Sequence, residues 1–315
     1  MRMLRFDPLD RPVSAVGLGL YPLGDMSQDL ASEVLDTWLD VGGNLVDTAP
    51  VYGDGRSERA LGEYLRASGR RSDVVIISKA CHPAPDGRER VNPDAISQDL
   101  SASLARLGVE WIDIYMLHRD DVTVPVAPLI DRLNEEMGDG RIRSFGVSNW
   151  STARIAEAMQ YSMRRGLASI TSSSAHMSLA REVVPFAPDV TPVRRRDVSY
   201  YRQADIPLFA WAALAEGWFG AAAARSTESR FESVANRERR RRVHDLAAAL
   251  QLTPSQIAIA WLLCQPTAIY GIFSSMRPAH IREMAEATAV ALDSEVLRWL
   301  DLETDVVPRS ARRHS

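Results

Sequence analysis

Cysteine is scarce in this chain. Its 315 residues include only Cys81 and Cys264, far apart and outside any Cys-x-x-Cys or Cys/His cluster. That spacing argues against a disulfide framework or a zinc site, so no metal is expected, and it suits a reducing compartment. No apolar run reaches the length of a membrane span before charge or proline breaks it. The opening MRMLRFDPLDRP lacks the apolar stretch of a secretion signal. A cytoplasmic protein without a membrane partner is the expectation. Excess positive charge is lacking too: the formal net charge is −4, which argues against a nucleic-acid partner. The basic run Arg237–Arg242 is read as a solvated helix face, because on a helix these side chains spread around the cylinder. There is no repeat of solenoid period. There is also no Gly-x-Gly-x-x-Gly opening a helix, for Gly17-Leu18-Gly19-Leu20-Tyr21-Pro22-Leu23-Gly24 does not fit that pattern.

What is present is an ordinary core-forming composition, 46% apolar and 25% charged. Short β-rich runs recur at Val13–Leu20, Asn44–Val46, Val74–Ser78, Ile112–Leu117, Ile142–Val147, Ala168–Ser173, Ile206–Ala210 and Ala268–Ser274. Segments with helical apolar spacing lie between them: Gln28–Leu39, Ser57–Leu65, Asp94–Leu107, Val126–Met137 and Thr152–Met163. Asn92-Pro93 and Ser151-Thr152 supply start signals for two of these. Buried strands alternating with helices imply a parallel sheet covered on both faces, and eight such strands close a barrel. An open doubly wound sheet is the alternative, and it would want the missing glycine-rich turn. The expected architecture is one α/β domain spanning residues 1–315, a (β/α)8 TIM barrel. A loop insertion is expected between strands 7 and 8, where a small-residue stretch (Gly217–Arg225) and helices at Arg237–Leu250 and Pro254–Cys264 exceed one connection.

In such a barrel the C-terminal ends of the strands open onto one face, where chemistry sits. The second run ends in Asp47, with Tyr52 five residues on. The third ends in Lys79, the fourth in His118, the fifth in Ser148-Asn149 and the seventh in Trp211. Each has a plain structural reading: a snorkelling lysine, an interior histidine, a capping aspartate, a packed tyrosine. Together they supply a proton donor and the charges that tune it. A tyrosine near its ordinary pKa of about 10 is a reluctant donor at neutral pH. Lys79, aimed by Asp47, is expected to lower that value, with His118 donating to the substrate oxygen. Arg119, Asp120 and Asp121 are candidates for touching a polar substrate such as a sugar, and Trp111, Trp150 and Trp218 for lining its pocket.

These residues, in this order, resemble the aldo-keto reductase family. NLVDTAPVYGDGRSERALGEYL carries Asp47 and Tyr52, VVIISKA carries Lys79, LGVEWIDIYMLHRDD carries His118, and GRIRSFGVSNW carries Ser148 and Asn149. The similarity runs from about Val13 to the region of Pro278–Glu283. It implies a barrel that reduces a carbonyl (an aldehyde, ketone or oxidised sugar) to an alcohol with a bound nicotinamide dinucleotide. Asp47, Tyr52, Lys79 and His118 would be catalytic. Ser148, Asn149, Ser174, Trp211, Ala212, Leu214, Ser274, Ser275, Arg277 and Glu283 would bind the cofactor. The chain departs from the family where Ser174 stands for a glutamine, Trp211-Ala212-Ala213-Leu214 for Tyr-Ser-Pro-Leu, Met276 for an arginine that reaches the 2′-phosphate, and Met284 for an asparagine. NADP(H) is the expected cofactor, with NAD(H) an alternative. The resemblance also extends to nicotinamide-binding regulatory subunits of potassium channels, which gives a second expectation of a different class. The substrate is a small molecule whose identity the sequence leaves open.

Overall fold

The computed structural model of the chain describes residues 1–220 and 230–311. It opens with an antiparallel hairpin of β1 (Met3–Phe6) and β2 (Arg11–Ser14), in which Phe6 faces Arg11. Eight parallel strands follow: β3 (Val16–Gly19), β4 (Leu45–Asp47), β5 (Val75–Ala80), β6 (Ile112–Leu117), β7 (Ile142–Ser148), β8 (Ser173–His176), β9 (Leu208–Trp211) and β10 (Ile269–Phe273). They pair in sequence order and close into a barrel, with Gly271 of β10 opposite Val16 of β3. The helices are α1 (Gln28–Asp40), α2 (Arg56–Ser68), α3 (Pro93–Leu107), α4 (Val126–Gly138), α5 (Thr152–Arg165), α6 (Arg195–Gln203), α7 (Val234–Leu250), α8 (Pro254–Leu263), α9 (Pro278–Ala287) and α10 (Ser294–Leu300). The chain is thus an eight-stranded α/β barrel of the TIM type.

Local chemistry sets the boundaries. Asn92 accepts from the Ala95 N–H to start α3, Pro93 fills the first helical position, and Gly108 ends the helix in the left-handed region. The α8 start is a reciprocal box in which Thr253 and Gln256 satisfy each other's backbone N–H groups. Along β5, Val75 and Ile77 point into the barrel while Ile76 packs outward under the helices. The interior is filled by Leu45, Val75, Ile77, Ile114, Met116, Phe209, Tyr270 and Ile272. Phe6 and Val13 of the hairpin close its floor, with the Phe6 ring edge-on to Phe209 and Tyr270 at 5.9 and 6.3 Å. On β3 the inward position is Gly17. A Cβ there would lie 2.6 Å from Ile272 Cδ1 and 2.8 Å from Leu45 Cδ2, so the first strand cedes that space to its neighbours.

Several expectations are corrected. The run Val13–Leu20 is two elements, because the chain turns at Ala15 between the floor hairpin and β3. The sixth barrel strand lies later than Ala168–Ser173, at Ser173–His176. The basic run does lie on a helix, α7, but Arg239 and Arg242 are buried rather than solvated. Arg242 donates to the Trp299 and Thr304 carbonyls and pairs with Asp305, tying down the C-terminal segment. Between β9 and β10, helices α7 and α8 occupy the expected insertion. Residues 221–225 of the expected small-residue stretch lie outside the described residues. A second irregular segment, 177–194 between β8 and α6, was not foreseen. Among the described residues, no single helix is long and apolar enough to cross a membrane.

Candidate active site

The inward faces of three strands, followed one step past the apolar layers, arrive at charge. Leu45 leads to Asp47 on β4, Val75 and Ile77 lead to Lys79 on β5, and Ile114 and Met116 lead to His118 just beyond β6. The barrel's own periodicity therefore puts these side chains at one mouth. Lys79 Nζ donates to both Asp47 oxygens, at 2.8 and 2.7 Å, to the Thr48 carbonyl at 3.0 Å and to Tyr52 Oη at 3.2 Å. The Lys79 and Asp47 side chains are only 3% and 7% exposed. Tyr52 Oη lies 3.4 Å from Asp47 Oδ1 and donates to it. The ammonium is thus held on several sides, and one of its contacts is the phenol.

Burial works against the Lys79 charge, but Asp47 and Tyr52 outweigh it and hold the ammonium above its ordinary pKa. At Tyr52 the expected downward effect of Lys79 is present but outweighed. Enclosure raises its pKa most, Lys79 lowers it, and Asp47 raises it again, so the phenol stands above its ordinary value. Lys79 does act downward, yet its own counter-ion offsets it. Burial, and then the Lys79 charge, hold His118 well below the ordinary histidine range, so its ring is neutral. Its Nδ1 is buried and has no hydrogen-bond partner among the described residues. The ring stands edge-on to Tyr52 at 6.1 Å and to His82 at 5.0 Å.

A cavity of about 950 Å³ opens above these groups. Asp47, Tyr52, Lys79 and His118 line one part of it. Ser148, Asn149, Ser174, Trp211, Ala212 and Leu214 line its middle, and Ser274, Ser275 and Arg277 line the stretch leading to the start of α9. Asn149 holds a left-handed backbone with φ 65°, tolerable for asparagine. Its Nδ2 donates to the His118 carbonyl and to Ser148 Oγ, while its Oδ1 accepts from Trp211 Nε1 at 3.2 Å. Trp211 packs against His176 and Phe186, with centroids 5.1 and 4.7 Å away.

Glu283 departs from the set: it does not line the cavity and instead accepts from Thr253 Oγ1. Met276 packs against the core, and Met284 is fully buried in it. Asp120 pairs with Arg154 at 3.2 Å, and Asp121 accepts from Thr123. Trp150 and Trp218 are buried, and Trp111 lies between the Arg71 and Arg143 guanidiniums near the start of β6. None of these five lines the cavity.

Sequence reasoning passed over Tyr21, Phe186, Val190 and His280, all of which line the cavity. Tyr21 follows the end of the first strand run, so the rule that found the others would have found it. Phe186 and Val190 sit in the irregular segment 177–194, where no periodicity marks them. Composition also held an unused signal. Lys79 is the only lysine in a chain with 37 lysine and arginine residues together.

A sequence model of the Aldo/keto reductase family matches residues 15–302. The chain belongs to that family. The Aldo-keto reductase yakc [NADP(+)] of Schizosaccharomyces pombe is 26% identical over 91% of this chain and 87% of its own length. A probable voltage-gated potassium channel subunit beta of Arabidopsis thaliana is 29% identical over 82% of each chain. The crystal structure of the thermostable aldo-keto reductase Tm1743 superposes with a TM-score of 0.76, covering 96% of this chain and 99% of that one at 24% identity. This aldo/keto reductase is therefore an oxidoreductase of a family that uses NAD(P)H. Its cavity fits such a dinucleotide. The half-buried Trp211 offers a ring platform in the cavity wall, and the exposed Ser274 and Arg277 lie where the backbone N–H groups of α9 begin, a suitable end for phosphate.

Proposed function

We propose that this chain reduces a small-molecule carbonyl to an alcohol, with NADP(H) as the principal cofactor. One observation carries the reading: the buried Asp47–Lys79 pair bonded to the Tyr52 phenol, beside a neutral His118, on a cavity of about 950 Å³. A bound dihydronicotinamide would supply the hydride. Tyr52 holds the proton for the substrate oxygen, and with its pKa raised it stays protonated across the neutral range. As the proton leaves, Lys79 stabilises the phenolate from 3.2 Å, and Asp47 and the Thr48 carbonyl keep the ammonium aimed. His118, as a neutral ring, offers one N–H to the carbonyl oxygen. This is electrostatic positioning around developing charge.

Ser148, Asn149 and Ser174 would meet the carboxamide, Trp211 the ring, with Ala212 and Leu214 beside it, and Ser274, Ser275 and Arg277 the phosphates. Glu283 is left out, since its carboxylate is engaged with Thr253. The test is loss of dihydronicotinamide absorbance by the purified protein with a panel of aldehydes and ketones. Tyr52→Phe should lower turnover by about 10² or more while NADPH affinity persists. The named resemblance to a channel β subunit supports a second reading, a nicotinamide-binding regulatory subunit. Tight nucleotide binding without turnover of any carbonyl would favour it.

A further inference from the structure

The tetrad leaves one cavity cation unused. Arg119 directly follows His118, lines the cavity, and has a side chain only 16% exposed. Its backbone is fixed by Trp150 Nε1, which donates to the Arg119 carbonyl at 3.1 Å. Its Nε lies 3.0 Å from Asp189 Oδ2, and neither Nη hydrogen-bonds to any of the described residues. Asp189 belongs to the irregular segment 177–194 and is 40% exposed. Apart from Arg277 at the start of α9, the other charges lining the site are spent or suppressed. Lys79 and Asp47 neutralise each other, and Glu216 at the rim pairs with Arg230 at 3.2 Å. His118 and His82 are held below the ordinary histidine range by burial first, with Arg119 adding to it.

A largely buried guanidinium whose one ion-pair partner is a part-exposed carboxylate keeps N–H donors of its fork for a planar anion. We propose that the substrate is an oxo acid, a carbonyl compound whose carboxylate is gripped by Arg119 while its carbonyl meets Tyr52 and His118. This rests on the reductase reading above. In the reaction the carbonyl carbon gains the hydride of NAD(P)H, the oxygen gains the Tyr52 proton, and the carboxylate is unchanged. Asp189 holds the Nε side of the guanidinium, and its negative charge opposes the arriving carboxylate.

The experiment compares kcat/KM for matched pairs at saturating NADPH: 4-carboxybenzaldehyde against its methyl ester, and succinic semialdehyde against butanal. Charge-assisted bonds to one guanidinium predict a preference for the acid of about tenfold to a hundredfold, expressed in KM. Arg119→Gln should bring the ratio close to one, Arg119→Lys should keep part of it, and Asp189→Asn should raise it. Calorimetry on the NADP-bound protein should show benzoate binding that Arg119→Gln abolishes. Equal kcat/KM within each pair would overturn the proposal. So would an Arg119→Gln variant that slows both members alike, or an Asp189→Asn variant that slows both, because either result makes the ion pair a loop fastener only. Failure to reduce any aldehyde, charged or neutral, would instead remove the reductase reading beneath it.

Discussion

Asp47→Asn gives the sharpest check on how the phenol is tuned. The carboxylate oxygen nearest Tyr52 Oη is 3.4 Å away. At the effective dielectric of about 20 that suits such sites, and with the charge shared by the farther oxygen, the repulsion opposing phenolate is about 4 kcal/mol. Lys79 Nζ, 3.2 Å from Tyr52 Oη, stays in place through the Thr48 carbonyl and the phenolate. Part of the effect goes to Lys79, which loses its counter-ion, but the phenol pKa should fall. The sign follows directly. Reduction needs the protonated phenol, so activity is present below the Tyr52 pKa and lost as pH rises through it. In the parent that pKa stands above its ordinary value, and in Asp47→Asn the loss should begin at lower pH than in the parent. The assay is the pH profile of kcat/KM, read for the position of its alkaline limb rather than its height. Ultraviolet titration of phenolate alongside it, with Tyr52→Phe as the blank, separates Tyr52 from the other tyrosines. A limb that stays put or moves upward would refute the offset between Lys79 and Asp47.

Two further outcomes follow from the cavity wall. Trp211 is the half-buried indole at its centre, so NADP binding should quench tryptophan fluorescence and Trp211→Ala should remove most of the change. Equal quenching in the variant would assign it to another of the seven tryptophans. Arg277 lines the cavity beside the start of α9, so Arg277→Ala should weaken NADP(H) by about tenfold or more, the worth of a charge-assisted bond to the 2′-phosphate, and leave NAD(H) nearly unchanged. Equal weakening of both cofactors would show that Arg277 does not read the 2′-phosphate.

The barrel was legible because its inner strands are short apolar runs separated by helical spacing, and β4 to β7 fall close to where those runs predict. The polar residue after each run was equally legible, since alternation carries the inward face from Ile77 to Lys79 and from Met116 to His118. Legibility failed where local sequence carries no pattern. Ser172-Ser173-Ser174 offers no apolar alternation, so β8 was placed too early. Its serines are buried through tertiary contacts, such as the one between Ser173 Oγ and Tyr201 Oη at 3.3 Å. Val13–Leu20 hid a turn because both the floor hairpin and β3 need apolar residues. The lowering by Lys79 was legible, but the net direction of the phenol pKa was not, because it rests on enclosure and on the distance from Asp47, neither of which is local. Segment 177–194 is held by the Arg194–Glu182 pair and by Arg230 over Phe186, contacts between residues remote in sequence or without periodic spacing.

The lone lysine makes the proton site readable in isolation. Protein grown with lysine enriched in ¹⁵N at its side chain would carry a single labelled ammonium, and that ammonium is the one bonded to Asp47 and Tyr52. Its resonance needs no assignment and has no background to subtract. It would report ionisation of the phenol, arrival of nucleotide and loss of the carboxylate in Asp47→Asn as shifts of one line. Amine-directed chemistry has the same economy. With Nζ enclosed, a lysine-directed reagent meets no exposed side chain here, so any labelling it achieves would report opening of the Asp47–Lys79 pair.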